Sequence, residues 1–162
     1  MSTRGMIAFR VGGVVRAAHN HCDSYPEGLG VQVLRFARQM VKDDAVAVTS
    51  LRALALAPVT GQPDADQIKA LIAWADLSRV DPKQGITWSD LLRRTEGNPD
   101  AILTAGYIID ASAELNTRWV AWAYELDFDA EALRVYRHGD EIMRFTFAAL
   151  PDDDVFLSRL NG

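Results

Sequence analysis

A β-hairpin is predicted over Thr3–Cys22, which reads TRGMIAFRVGGVVRAAHNHC. Ile7, Phe9 and Val11 place apolar side chains at every second position, as in a strand that buries one face. Gly12-Gly13 then supplies the two adjacent glycines that a tight hairpin turn favours. The residues after this turn are therefore expected to return as an antiparallel second strand.

The position of the turn also determines which residues oppose each other across the hairpin. Counting outward from the two glycines pairs Met6 with His19 and Arg4 with His21. Opposed side chains in a hairpin lie on one face with close Cβ atoms. Arg4 and His21 are therefore expected to be neighbours, on the face opposite the apolar stripe.

The rest of the chain changes its hydrophobic period twice. Apolar residues recur at helical spacing over Leu29–Val41, and the middle of the chain is helical in character. A period of two returns in three further predicted strands, Trp119–Phe128, Ala132–Arg137 and Glu141–Leu150. This order predicts an α+β fold in a single domain over residues 1–162. Its antiparallel sheet would combine the N-terminal hairpin with the three C-terminal strands, and the helical middle would pack on that sheet.

Helix starts in the middle of the chain carry capping residues. Asp64 or Asp66 can cap a helix whose apolar face includes Ile68. Thr87-Trp88-Ser89-Asp90 resembles a capping box, and Asn98 precedes a proline at the first position of another short helix. These signals predict three short helices before the C-terminal strands.

Composition limits the classes of function. The chain has 162 residues and a net charge of −5, and its 17 basic residues are scattered. No basic stripe results, so general nucleic-acid binding is not predicted. The longest apolar stretch, Ala45–Val59, is interrupted by polar residues and is too short to span a bilayer. With no apolar run of signal-peptide length at its start and Cys22 as its single cysteine, the chain is expected to be cytoplasmic, without membrane contact or intrachain disulfide.

Reactive side chains are concentrated at the end of the hairpin, in the sequence HNHCDSYPEGLG from His19 to Gly30. A helix is expected to begin near Gly28 to Gly30, and free backbone amides at a helix start attract anions. Glycine lets a ligand approach these amides closely. Arg4 adds a planar cationic fork beside them. The segment therefore predicts a binding site for a small anion such as a phosphate or carboxylate group.

Each polar residue of this segment has a predicted role. His21 and Asp23 are candidate catalytic residues, because an imidazole and a carboxylate can transfer protons or hold a water. The candidate ligand-binding residues are Arg4, His19, Ser24, Tyr25, Gly28 and Gly30. No metal site is predicted, since His19, His21 and Asp23 have ligand chemistry but no further residue nearby completes a set. The pattern assigns no cofactor.

Structural and mechanistic alternatives fit the same segment. Asp23 or Ser24 can cap the helix, Tyr25-Pro26 can plug the core, and Arg4 can pair with an acidic neighbour. Cys22 would point away from the Arg4 and His21 side of the strand, so a small buried thiol is expected rather than a nucleophile. Removal of Met1 would give Ser2 the free amine of an N-terminal nucleophile hydrolase, but a chain that starts at Met1 blocks this amine.

Thr3-Arg4-Gly5 and Asn20–Gly30 resemble segments of an uncharacterised family of small proteins from bacteria, phages and fungi. Its members share a TRG-type first strand and an NH-x-DSYP-x-GLG-type turn. Trp122–Asp127 and Leu133–Tyr136 are similar to the C-terminal strand pair of that family. Relatives carry an aromatic residue at the position of Cys22, which argues further against a catalytic thiol. The resemblance implies no activity, and its phage members imply, by analogy, a role in conflict with a host.

Two classes of function fit these residues. The first is a small-molecule-binding domain with hydrolase-like chemistry, which acts on a small anion at Arg4, His21, Asp23 and Tyr25. The alternative is a non-catalytic protein of phage and host conflict, either a sponge for a signal molecule or an inhibitor of a protein partner. An enzyme needs a proton-transfer group beside an accessible cleft, whereas a sponge needs only an enclosed pocket of donors.

Overall fold

The computed structural model describes residues 3–162. Its strands are β1 (Gly5–Val11), β2 (Val14–Asn20), β3 (Ala57–Pro58), β4 (Tyr107–Ile108), β5 (Trp122–Asp127), β6 (Ala132–Arg137) and β7 (Asp140–Thr146). Five of them form one sheet in the order β2-β1-β5-β6-β7, and β3 pairs with β4 separately. The predicted α+β fold, with a sheet made from an N-terminal hairpin and three C-terminal strands, is confirmed.

Most of the helical structure lies between the two groups of strands. The helices are α1 (Val31–Lys42), α2 (Val46–Leu54), α3 (Ala65–Leu71), α4 (Trp88–Leu91), α5 (Pro99–Ala105) and, after the last strand, α6 (Asp153–Asn161). None of the helices within residues 3–162 combines the length and the hydropathy needed to cross a membrane.

The N-terminal hairpin has the predicted register. Met6 lies opposite His19, and the ladder between β1 and β2 ends at Gly5 and Asn20. The two turn glycines, Gly12-Gly13, have φ values of 59° and 75°, which glycine adopts without steric cost. Turn chemistry and a period of two were therefore sufficient to predict the pairing from Gly5 and Asn20 to the turn, whereas the predicted pair of Arg4 and His21 lies outside the ladder.

The sheet is mixed, whereas an antiparallel sheet was predicted. β1 and β5 run parallel, with Gly5 beside Trp122 and Phe9 beside Leu126, and the other three pairings are antiparallel. β2 ends at the end of the sheet at which β1 starts, and the long segment after β2 begins and finishes at that same end. β5 therefore runs in the direction of β1, and it pairs with β1 in parallel.

Different parts of the chain bury the two faces of the sheet. Ile7 and Phe9 contribute to the main core, which also contains apolar residues of α1, α6, β5, β6 and β7. Met6 belongs to a smaller cluster on the other face, together with Leu115 and Val120. The face of β2 that carries Ala17 and His19 is therefore partly covered by a second layer, formed by the segment just before β5.

Local helix signals are confirmed in the middle of the chain. Asp64 caps α3, Thr87 caps α4 and Asn98 caps α5, each by accepting a hydrogen bond from the backbone amide three residues later. The start of the first helix differs from the prediction. Residues Pro26–Gly30 form a π-helical turn, and α1 begins only at Val31.

Candidate functional site

The turn after β2 is held together by side chains of the predicted motif. Ser24 is fully buried, and its hydroxyl accepts a hydrogen bond from Asn20 Nδ2 at 2.8 Å. Gly5 lies against it, since a Cβ atom on Gly5 would stand 2.4 Å from Ser24 Cβ. The hydroxyl of Tyr124 donates to the backbone carbonyl of Ser24 at 3.0 Å. Ser24, a predicted ligand-binding residue, is thus engaged in the packing of this turn.

The backbone amides on which the anion prediction relied are occupied. Those of Gly28 and Gly30 donate to the carbonyl of Tyr25 at 3.0 and 3.3 Å, and that of Leu29 donates to the carbonyl of Asp23 at 3.0 Å. The expectation of free amides at this helix start is wrong, because the π-helical turn uses them internally. Gly28 instead permits close packing, since a Cβ atom there would lie 2.5 Å from Asp23 Cγ.

No hydrogen bond or ion pair joins Arg4 or Tyr25 to the histidines in the described part of the chain. Arg4 is exposed, and no ion pair or hydrogen bond within residues 3–162 joins its side chain to His21. Tyr25 is 47% exposed and lines a separate open cleft with Trp122. Tyr25 therefore lies in a cleft that neither histidine lines.

Asp23 and Cys22 are both exposed. Asp23 adopts a left-handed φ of 53° at the tip of the turn. In the described part of the chain its carboxylate accepts no hydrogen bond. The expectation that Cys22 is a buried thiol is wrong, because β2 ends two residues earlier. Ser2, the residue of the N-terminal nucleophile hypothesis, lies outside the described residues.

His19 on β2 and His21 directly after it line a cavity of about 320 Å³, which we call the β2 cavity. Its volume lies within the range of small-molecule sites in proteins. Its walls combine β2 with residues of the helical middle and of β4. They are Ala18, His19, His21, Ser89, Leu92, Arg93, Thr95, Glu96, Ile102, Tyr107, Ile108 and Ile109.

Each of these histidines contacts a carboxylate. Glu96 Oε1 lies within hydrogen-bonding distance of both Nδ1 and the backbone amide of His21. His19 Nε2 lies 2.9 Å from Glu114 Oε2. The centroids of the two imidazole rings are 6.1 Å apart. Since a carboxylate that accepts from one ring nitrogen orients the imidazole, both rings are held in place at the cavity wall.

Arg93 brings a positive charge to the same cavity. Its side chain belongs to a partly buried residue on the 3-10 turn Arg93–Thr95. Among residues 3–162, no carboxylate lies within 4.0 Å of its guanidinium. Its charge does reach Asp76, whose pKa is lowered chiefly by hydrogen bonds from Ser78 and also by Arg94 and Arg93. The fork of Arg93 therefore remains available to a ligand.

Arg93 and Glu96 were missed as site residues in the sequence. Side chains three residues apart on a 3-10 turn lie on one side of it, so both reach the β2 cavity. Glu96 meets His21 across 75 positions of the chain. A contact between residues so far apart in the sequence produces no recognisable motif around either residue. The only signal was an acidic residue two positions after the short cationic run Arg93-Arg94.

Acidic residues of the C-terminal strands are engaged by arginines. Glu125 is fully buried and binds Arg10 and Arg134 at N···O distances of 3.0 to 3.2 Å. Asp127 lies 3.2 Å from Arg134. Charges buried in a protein need such partners, so these acids have a structural explanation. Within residues 3–162, no group of three or more His, Cys, Asp or Glu side chains is arranged to hold a metal ion.

No protein-family model, curated protein or solved structure matches this chain.

Proposed function

We propose that this protein binds a small organic anion in the β2 cavity, with Arg93 as the residue that holds the anionic group. The observation that carries the proposal is a partly buried arginine that lines the cavity and has no carboxylate partner in the described part of the chain. A cation without a counter-charge attracts an anion. A guanidinium binds carboxylate or phosphate groups through two parallel hydrogen bonds.

The remaining walls of the β2 cavity suit the organic part of such a ligand. Leu92, Ile108 and Tyr107 supply apolar surface, and Ser89 adds a hydroxyl. The ring of Tyr107 is stacked on Trp88, with a centroid distance of 5.4 Å and an interplanar angle of 30°. This stacking fixes the ring against which a planar group of the ligand would pack.

Hydrolase-like chemistry is a second candidate, and the contact between His21 and Glu96 favours it. A carboxylate that orients an imidazole is the arrangement general-base catalysis requires. A sponge would use the same cavity without any proton transfer. Membership of the family with the NH-x-DSYP-x-GLG-type turn is likewise a proposal, which rests on the motif residues and adds no activity.

Ligand screening of the purified protein tests the binding proposal. A panel of nucleotides, sugar phosphates and aromatic or aliphatic carboxylic acids is surveyed by thermal shift, and affinities of the hits are measured by calorimetry. Loss of a charge-assisted hydrogen bond costs about 1.5–3 kcal/mol, which corresponds to tenfold or more in affinity. Arg93→Ala should therefore weaken each hit by at least that factor.

Two other arginines serve as controls. Arg94→Ala removes an exposed cation that neighbours Arg93 but does not line the β2 cavity, so binding should be unchanged. Arg4→Ala tests the anion site predicted at the N-terminal loop. Weaker binding in Arg4→Ala with normal binding in Arg93→Ala would place the anion at that loop and refute the proposal. A panel that yields no ligand would refute it as well.

A further inference from the structure

We infer that the β2 cavity is a hydrolytic site for a phosphodiester, in which His21 is the general base and Glu96 is the residue that positions it. This inference rests on the proposed function, since it names the chemical class of the anion and what becomes of it. Three observations support it. Glu96 determines which nitrogen of His21 carries the proton, the turn around Glu96 holds that residue in place, and the charges of the lining residues limit the charge of the ligand.

The contact with Glu96 determines which nitrogen of His21 carries the proton. An ionised carboxylate can only accept hydrogen bonds, so Nδ1 of a neutral imidazole must donate to Glu96 Oε1. Nε2 is then left with its lone pair. An imidazole held in this tautomer by a carboxylate can take a proton from water, the role it has in hydrolytic triads.

Glu96 is itself fixed by the turn that carries it. Thr95 Oγ1 donates to the carbonyl of Leu92 at 2.7 Å, and the amide of Glu96 donates to the carbonyl of Arg93 at 3.3 Å. The next residue, Gly97, lies so close to the end of β2 that a Cβ atom there would be 3.2 Å from Asn20 Oδ1. A positioning residue must be held by such supporting contacts.

The charges at the cavity wall disfavour an anion with two negative charges. Arg93 is the one guanidinium among the described lining residues, and the carboxylate of Glu96 lies at the same wall. His21 must be neutral to act as a base. A phosphate monoester carries close to two negative charges at neutral pH, because its second pKa is about 6. A phosphodiester carries one, and a planar substituent on it would pack against Tyr107.

The reaction balances with water as the only co-reactant. His21 Nε2 accepts a proton from water as the water oxygen forms a bond to phosphorus. The guanidinium of Arg93 stabilises the charge that develops on the non-bridging oxygens. The bond from phosphorus to the leaving oxygen, on the side opposite the attacking water, then breaks. The leaving oxygen takes a proton from solvent, and His21 returns the proton on Nε2 to solvent. The products are a phosphate monoester and an alcohol.

Bis(4-nitrophenyl) phosphate is a suitable probe, because it is a singly charged diester with aromatic substituents and releases a coloured product. The wild-type protein should hydrolyse it faster than 4-nitrophenyl phosphate, the corresponding monoester. Removal of a general base typically lowers the rate by about 10²–10⁴-fold, so His21→Ala should lower kcat by at least a factor of 100 with a KM within a few-fold. His138→Ala, which changes a histidine in the turn between β6 and β7, should retain the wild-type rate.

The role of Glu96 has a readout that a merely structural residue would not change. Long-range ¹H–¹⁵N correlation spectra at high pH should show His21 as the Nδ1–H tautomer in the wild type. In Glu96→Ala this tautomer should be lost while the spectrum of the rest of the protein is retained, and turnover should fall with it. Glu96→Gln keeps an acceptor oxygen, so it should preserve more of the Nδ1–H tautomer than Glu96→Ala.

The outcomes separate this inference from the proposed function. The inference is overturned if the wild type hydrolyses the diester no faster than His21→Ala does. It is also overturned if His21 is the Nε2–H tautomer in the wild type. If anions from the ligand panel still bind in a manner that depends on Arg93, the binding function stands without hydrolysis. If no anion binds in that manner, both fail.

Discussion

The hydroxyl of Tyr124, on the central strand β5, donates a hydrogen bond of 3.0 Å to the backbone carbonyl of Ser24 in the turn after β2. Tyr124 is fully buried, and burial raises the pKa of its phenol, with smaller contributions from the charges of Glu27 and Asp23. The hydroxyl therefore stays protonated and available as a donor. This bond joins residues 100 positions apart and ties the motif segment to the sheet.

Tyr124→Phe should destabilise the protein without changing its fold. The substitution removes the donor and leaves the carbonyl of Ser24 buried without this partner, a loss that costs about 1–3 kcal/mol. Urea unfolding followed by circular dichroism measures the effect as a lower midpoint at an unchanged slope. Tyr25→Phe is the matched control, because Tyr25 is 47% exposed and its loss of a hydroxyl should leave the midpoint where it was. Equal midpoints for all three proteins would show that the bond contributes nothing.

Acid sensitivity should depend on Glu141. Its carboxylate is bound by Arg144 at 2.8 Å and by Arg134 at 2.6 Å, and these contacts lower its pKa from 4.5 to about 2. Because the pKa is lower in the folded state, the stabilisation is fully present above the unfolded value and is lost as the pH falls towards 2. Wild-type stability should therefore decline between these values more steeply than that of Glu141→Gln.

The free energy of unfolding in urea, measured at pH 7, 4 and 3, tests this dependence. Glu131→Gln is the control, since Glu131 is exposed and forms no ion pair within residues 3–162. Its acid profile should follow that of the wild type. Parallel profiles for Glu141→Gln and the wild type would contradict the prediction.

Local physics accounts for the parts of the fold that the sequence predicted. The register of the hairpin depends only on the alternation of Ile7, Phe9 and Val11 and on the two glycines that follow them. The caps of α3, α4 and α5 likewise depend on residues within one helical turn. Such interactions can be predicted from a single sequence because the residues that interact lie within a few positions of each other.

Features that join distant segments could not be predicted in this way. The parallel pairing of β1 with β5 depends on the path of the whole helical middle. The contact between Glu96 and His21 has the same origin. His19 and His21 were identified as candidates from their chemistry, but their surroundings in the β2 cavity follow from that long-range packing.

The motif glycines show how one pattern admits two physical causes. Gly28 and Gly30 suggested an approach of a ligand to free amides. In the structure, a Cβ atom on Gly28 would collide with Asp23, and one on Gly30 would lie 2.9 Å from the ring of Tyr124. Close packing and anion binding both require a residue without a side chain. Only the position of the neighbouring atoms distinguishes them.

Cys22 should be reactive yet dispensable. Its thiol belongs to an exposed residue, so the folded protein should react with one equivalent of Ellman's reagent at a rate close to that of the denatured protein. Cys22→Ser should leave the thermal midpoint unchanged, because no core contact is removed. Binding of any ligand found in the panel should also stay within a few-fold of the parent. A thiol that reacts only after denaturation, or a variant that no longer binds, would contradict this assignment.

Gly5→Ala should test whether the motif encodes packing at the start of β1. Gly5 is buried, and an added Cβ atom would stand 2.4 Å from Ser24 Cβ and 2.7 Å from the backbone oxygen of Trp122. Overpacking of this kind typically costs about 1–3 kcal/mol, which urea unfolding would report as a lower midpoint. The double variant Gly5→Ala with Ser24→Gly removes the first collision and leaves the second. The two substitutions should therefore couple, with the double variant more stable than the sum of the single effects predicts. Additive effects would mean that the turn shifts away from β1 at no cost, and the close approach of Gly5 to Ser24 would then not explain the glycine at this position.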